Sequence, residues 1–298
     1  MLLGDDVMKL ATRRRVRLIE QTTHLDTAKC IFCGSPKVTR EHVFSQWMHP
    51  FMPPRSNKPA NVRISVDHKD RTDLVDNLRL SGPLRDWQIR CACGNYTGCC
   101  NNEWMSDIER RAQATMEPML RGESIRLSEA DQKAIATWAI LKVMVAHHRF
   151  VHHMQRKQMR AKHEPPKQWS VWLSAFGGKT EDGHWLVRPF SLNVAGSRRR
   201  PNRTGAIPNS HATTQIIKNI LIHVVKLPMD DFGTRWKWRD HAGAPLRGTI
   251  LRIWPPTGQS ILWPQKALTV PEALIVADAV DVATRRLAIE QGLLRPVR

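Results

Sequence analysis

The sequence predicts an α+β protein built from a small cysteine-rich unit, a long central helix and a second α+β region. Three observations carry that expectation. All six cysteines lie between Cys30 and Cys100. A capping signal at Ser128-Glu-Ala-Asp131 opens a run that is apolar nearly all round to Ala146 and turns basic beyond it. After Pro165-Pro166 the composition shifts to tryptophans and short strand-like runs.

The chain has 298 residues, enough for a core domain and one or two smaller units on a prior of roughly 100–200 residues per domain. Hydrophobic residues at 41% and charged residues at 24% mark a globular chain rather than a disordered one. The formal charge of +19 is the informative value. A balance this basic points to a polyanionic partner, since each neutralised phosphate releases counterions. No stretch reaches the roughly 18 apolar residues that a membrane span requires. The N-terminus carries Arg13-Arg14-Arg15 and Arg17 where a signal core would be apolar. The expected compartment is therefore cytoplasmic, where clustered cysteines read as metal ligands rather than disulfides.

Taken in order, residues 1–21 read as a basic arm or helix, and 22–122 as the zinc-binding unit. Within it a turn-rich loop at 50–59 separates strand-like pieces around 62–66 and 87–91. From Asn101 the pattern turns helical, with Trp104, Ile108, Ala112 and Met116 at helical spacing. Residues 123–165 hold the long helix, expected to run unbroken from Ser128 towards Lys162. Its segment His147-His148-Arg149-Phe150-Val151-His152-His153 reads as a solvated basic face that tracks phosphate, although His148 and His152 have a metal-binding i,i+4 spacing. Residues 166–298 form the second α+β domain, with strand-like runs at 169–176, 185–194, 216–227, 249–254 and 260–263 and a terminal helix at 271–292. A basic loop follows Ser197. Trp236-Lys237-Trp238-Arg239 interleaves aromatics with cations as single-strand binders do, though a strand with one packed face explains it equally well. A protein partner through 166–298 is also open.

Structural zinc takes four thiolate or imidazole ligands in a closed tetrahedron, and a CxxC turn supplies two at once. Cys30 and Cys33 meet that requirement, with Gly34 for the turn. The second half-site is irregular, because Thr97 stands where a second CxxC ending at Cys100 would need a cysteine. Cys91, Cys93 and Cys99 are the alternatives for the remaining ligand. Adjacent cysteines rarely both face one ion, so the expected set is Cys30, Cys33, Cys93 and Cys100, with Gly94–Gly98 looping out. Cys91 and Cys99 read as buried and metal-free.

Between the half-sites lies Glu41-His42. Hydrolysis of a phosphodiester needs a base near neutral pH, which histidine supplies, and a cation to absorb charge at the leaving oxygen. Neighbouring residues of a strand point to opposite faces, so Glu41 and His42 need a bend or bulge to share one site. Asn101, directly after Cys100, is either aimed by the metal or an ordinary helix cap.

The order Cys30-x-x-Cys33, Glu41-His42, Cys100-Asn101 resembles the HNH endonuclease superfamily. The strings Thr39-Arg40-Glu41-His42-Val43-Phe44-Ser45-Gln46-Trp47-Met48 and Cys100-Asn101-Asn102-Glu103-Trp104-Met105-Ser106 resemble a bacterial and phage subgroup of it. The likeness covers about residues 28–110. It implies a ββα-metal, treble-clef module with structural Zn²⁺, His42 as general base, and Glu41 and Asn101 as ligands of a catalytic Mg²⁺ or Mn²⁺. The family's middle asparagine falls on Asn77, expected to brace the loop that holds the base. Arg40, beside the pair, is the candidate for holding the scissile phosphate. The implied substrate is nucleic acid, double-stranded DNA in preference. Ser45 departs from the motif, standing where many relatives have proline. The alternative is a non-catalytic zinc protein of a phage or defence assembly that binds nucleic acid or a partner.

Overall fold

The structure, a computed structural model, describes residues 26–52, 60–63, 65–66, 77–80, 88–148, 151–178, 188–192, 210–227, 238–239 and 244–279. The expected N-terminal arm, the basic loop after Ser197, and Trp236 and Lys237 lie outside them. Among the described residues the fold is mixed α+β, and no helix is long and apolar enough to cross a membrane.

The cysteine-rich half is built on an antiparallel pair, β1 (Val38–His42) with β5 (Gln88–Cys93). Between them lie a 3-10 helix (Gln46–Phe51), β2 (Ala60–Arg63), β3 (Ser65–Val66) and β4 (Asn77–Leu80). The expected helix after Cys100 starts as a π-turn (Asn101–Met105) and continues as α1 (Ser106–Arg121). It ends where Gly122 takes the left-handed conformation, φ +87°, that favours glycine. Its spacing of Ile108, Ala112 and Met116 lays those residues on one buried stripe.

A short strand, β6 (Ile125–Leu127), leads into α2 (Glu129–Ala146), and the capping box forms as expected. Ser128 Oγ accepts from the Asp131 amide at 3.2 Å, and Asp131 Oδ2 accepts from the Ser128 amide at 2.9 Å. The single long helix does not form. The chain leaves helical geometry at His147 (φ −124°, ψ 32°) and re-enters at α3 (His153–Lys162). Two contacts hold the break open. Arg156 donates to the His148 and Val151 carbonyls, satisfying groups a continuous helix would have used. His152 caps α3 by accepting from the Met154 amide at 3.2 Å. His147 and His148 are consequently buried, not part of a solvated face, and His148 and His152 do not share one helix.

The second half is a six-stranded sheet in the order β11-β7-β10-β9-β8-β3. Its strands are β7 (Trp169–Ala175), β8 (Arg188–Leu192), β9 (Ser210–Ile217), β10 (Ile220–Lys226) and β11 (Leu251–Trp254), joined by β3 from the cysteine-rich half. β10 is buried along its whole length, His223 and Lys226 included, as a central strand covered on both faces requires. Alternation sorts the two faces. Val171, Leu173, Ile220, Ile222 and Val224 join the cluster that also holds α2 and the cysteines. On the other face Trp172 and Val225 pack with Trp238 and Ile250, and Leu221 with Leu268, Ala273 and Val276. The last two come from a helix whose described part is 270–279. β12 (Ile261–Trp263) pairs back with β6. One apolar cluster, from Cys30 to Trp263, crosses the positions 122 and 165 where the composition changes.

Three imidazoles sit in the sheet and its contact with α2. His147 Nδ1 lies 3.2 Å from His211 Nε2, and His223 Nδ1 lies 2.6 Å from Thr214 Oγ1. Burial pushes His147 and His223 down to about 3, and His211 also falls well below the usual range. Each folded value lies below its unfolded one, so the unfolded chain takes up the proton first. Stability is then full above about pH 6.5 and declines as pH falls. Between pH 7 and 5 each such histidine is expected to remove about 2 kcal/mol. Urea unfolding at the two pH values measures this, and His223→Gln should flatten the slope. Equal stability at both would mean that these rings are not held neutral.

Candidate functional site

Cys30 and Cys33 bracket a tight turn whose reversal is made by Gly34 at φ +82°, with the Gly34 amide on the Cys30 carbonyl at 2.9 Å. Cys93 ends β5, and Cys100 directly precedes the π-turn. The Ile31 amide donates to the Cys91 carbonyl at 2.9 Å, which lays the turn against β5. The sulfurs of Cys30, Cys33, Cys93 and Cys100 all lie within 4.8 Å of one another. A tetrahedron with metal–sulfur bonds of about 2.3 Å has edges of about 3.8 Å, so the four fit a zinc ion. This is the expected ligand set. Cys91 and Cys99 are buried and stand outside it.

The sulfurs are conditioned by their neighbours. A hydrogen bond from Cys100 draws Cys30 down to about 4, while the same contact and burial push Cys100 up. The Cys100 amide donates to Cys93 Sγ at 3.0 Å. From α3, burial disfavours the Arg160 charge, but the adjoining sulfurs of Cys100, Cys33 and Cys93 more than offset it. Arg156, on the same helix, donates to the Ile31 carbonyl at 2.9 Å. Four thiolates around Zn²⁺ leave a formal charge of about −2, and α3 sets cations beside it.

Glu41 and His42 part company. Their strand has a register shift, but it falls between Thr39 and Arg40. Beyond it Glu41 pairs with Ile89 and His42 with Gln88 in ordinary alternation, so the two side chains leave on opposite faces. Glu41 is 5% exposed and turned inward. Its Oε1 accepts from Lys142 Nζ at 2.7 Å; Lys142, fully buried on α2, also donates to Glu109 of α1 and to the His42 carbonyl at 2.9 Å. Burial pushes the Glu41 carboxyl up against the pull of that ammonium. Lys142 is raised despite its own burial, because two carboxylates flank it.

His42 is half-buried on the outer face, where the pairs Arg40↔Arg90 and His42↔Gln88 lie side by side. Gln88 Nε2 is 2.6 Å from His42 Nε2, and the His49 ring packs edge-on at 5.6 Å. Arg40 is 60% exposed, with Asp26 at 3.7 Å, an ion pair of little strength. Asn101 is not a helix cap. The π-turn has no side-chain cap, and the Asn101 carbonyl accepts from Ser106 Oγ at 2.6 Å. Asn101 is not among the partners of the Glu41 carboxylate. Asn77 opens β4 opposite Arg63, and its side chain lies outside the described residues. Ser45, the departure from the motif, accepts from the buried Trp138 indole N–H at 2.9 Å, a contact proline could not make.

The structure thus unites the four cysteines, and it sets Glu41 and His42 on separate faces. Lys142 and Glu109 were not anticipated as site residues. A second cation does not fit the Glu41 carboxylate as it stands, since an ammonium already fills the space beside it. Compared with protein-family models, with curated proteins and with solved structures, the chain gives no match.

Proposed function

We propose that this protein is a zinc-stabilised, HNH-type hydrolase of nucleic acid, with DNA as the favoured substrate and His42 as general base. One observation carries the reading. The four sulfurs expected from the HNH-like order of residues do converge, and they do so around the strand pair that bears Glu41-His42. The β1–β5 pair followed by the helix after Cys100 supports a treble-clef reading, in which zinc would be the structural centre.

The outer face of the pair supplies the chemistry. His42 supplies an imidazole for general-base work, and Gln88 Nε2, 2.6 Å from its Nε2, orients the ring. Arg40 and Arg90 lie across from each other one pair away, so a phosphate reaching His42 meets two guanidinium groups. A charge of +19 favours any polyanion and reads no sequence. The resemblance also implies Mg²⁺ or Mn²⁺ on Glu41 and Asn101. The engagement of Glu41 by Lys142 does not support that ligand set, and no step is routed through such an ion.

The test is nicking of supercoiled plasmid by the zinc-loaded protein, with RNA in parallel. His42→Ala is expected to lower cleavage by about 10²–10⁴-fold. Wild-type protein that cleaves neither substrate would sink the enzyme reading. A second reading, a non-catalytic nucleic-acid binder on the same zinc scaffold, draws on the Lys142 contact with Glu41. It predicts binding that weakens steeply with salt, without cleavage and indifferent to His42.

A further inference from the structure

We infer that Lys142 is the resident cation of the Glu41 carboxylate: a positioning residue that stands where a divalent ion would otherwise sit between Glu41 and Glu109, and that anchors the His42 peptide. The inference deepens the hydrolase reading and rests on it only for the role of His42. Its core concerns which cation the carboxylates hold.

The acceptor arithmetic is complete. A lysine ammonium has three N–H donors and no acceptor. Lys142 meets three oxygens, Glu41 Oε1 at 2.7 Å, the His42 carbonyl at 2.9 Å and a Glu109 carboxylate oxygen. No donor is left over, as a fully buried ammonium requires. Magnesium in the same place would ask for about six oxygens at roughly 2.1 Å in octahedral array, usually several of them waters. Lys142 and Glu41 are nearly inaccessible to water, at 0% and 6% side-chain exposure.

The lysine is also unable to swing away. Trp138, one helical turn earlier on α2, is fully buried and bonded to Ser45 at 2.9 Å, while Lys142 reaches residues 41 and 42. One helix face therefore grips both ends of the 41–45 segment. The His42 carbonyl is fixed by the ammonium and its imidazole by Gln88, so the base is held from both sides of its strand. Two carboxylates against one ammonium leave a formal charge of about −1, which favours retention of the lysine proton.

Manganese titration followed by electron paramagnetic resonance tests this on the full-length, zinc-loaded protein, since Mn²⁺ prefers oxygen ligands and competes poorly for thiolates. Wild type is expected to show no Mn²⁺ site that Glu41→Gln removes. Lys142→Ala, which empties the space between two carboxylates, is expected to gain one such site, tighter than any in wild type by about tenfold or more. Glu41→Gln added to Lys142→Ala should abolish it. A stoichiometric wild-type site lost in Glu41→Gln would overturn the inference, as would a folded Lys142→Ala that gains nothing. If Lys142→Ala does not fold, wild type against Glu41→Gln still decides. Failure of the hydrolase reading is seen separately, as absence of cleavage by wild type, and leaves the manganese result standing.

Discussion

Cys100→Ser is expected to abolish stoichiometric zinc and to unfold the cysteine-rich half while the protein is still at room temperature. Cys100 is the ligand that ties the β1–β5 pair to the helix beginning at Asn101, and its sulfur lies with three others inside a 4.8 Å cluster. Much of the surrounding apolar packing, Phe32 edge-on to Trp104 at 5.1 Å and Val38, Ile89 and Met105 behind them, is assembled only when those two pieces meet. Apparent zinc binding in such sites is worth about 10–16 kcal/mol near neutral pH, more than the whole stability of most domains. Zinc released per chain to a colorimetric chelator, with hydrogen exchange across 30–120, measures the effect. Cys91→Ser and Cys99→Ser are the controls and should keep their zinc. Native stability and full zinc in Cys100→Ser would remove the metal centre from the account.

Lys142→Met is expected to destabilise the fold by about 3–5 kcal/mol, because it leaves the buried Glu41 carboxylate, beside the partly exposed Glu109, without its counter-charge. The loss should be read by urea unfolding at neutral pH. Lowering the pH should return part of it, since burial already pushes the Glu41 carboxyl up and its protonation removes the orphaned charge. Replacing all three together (Lys142→Met, Glu41→Leu, Glu109→Leu) should come close to wild-type stability, since apolar packing can stand in for a buried ion triad. A Lys142→Met protein as stable as wild type would mean that the ammonium contributes nothing net.

The metal centre was legible because its signal is local. Cys30-x-x-Cys33 lies on one turn, and the exclusion of Cys99 follows from its adjacency to Cys100. The strands of the second half were legible for a related reason. The run expected at 169–176 contains β7, whereas the run expected at 216–227 joins the end of β9 to β10 across a tight turn at Lys218 (φ +52°) that no glycine announces. The helix break at His147 was harder to see, since no proline or glycine marks it. It depends on Arg156 reaching back to two carbonyls and on His211 arriving from β9.

The fate of Glu41 was half legible. A lysine between Leu141 and Val143, inside a helix apolar on every side, must find buried anions. That they would be Glu41 and Glu109 is a matter of how α2 crosses the strand pair, which periodicity does not encode. Strand alternation gave the warning that Glu41 and His42 need a bulge between them, and the register shift, between Thr39 and Arg40, lies two steps too early to supply it.

The ring of Trp138 lies 6.2 Å from that of Trp47, tilted by 55°, directly beneath the segment bearing His42. Two indoles so near and so inclined couple their strong far-ultraviolet transitions, as do Trp172 and Trp238 at 5.7 Å, so circular dichroism carries a contribution from each pair. The part of that signal lost in Trp47→Phe is an optical gauge of the segment, one that responds when α2 shifts and needs neither substrate nor label.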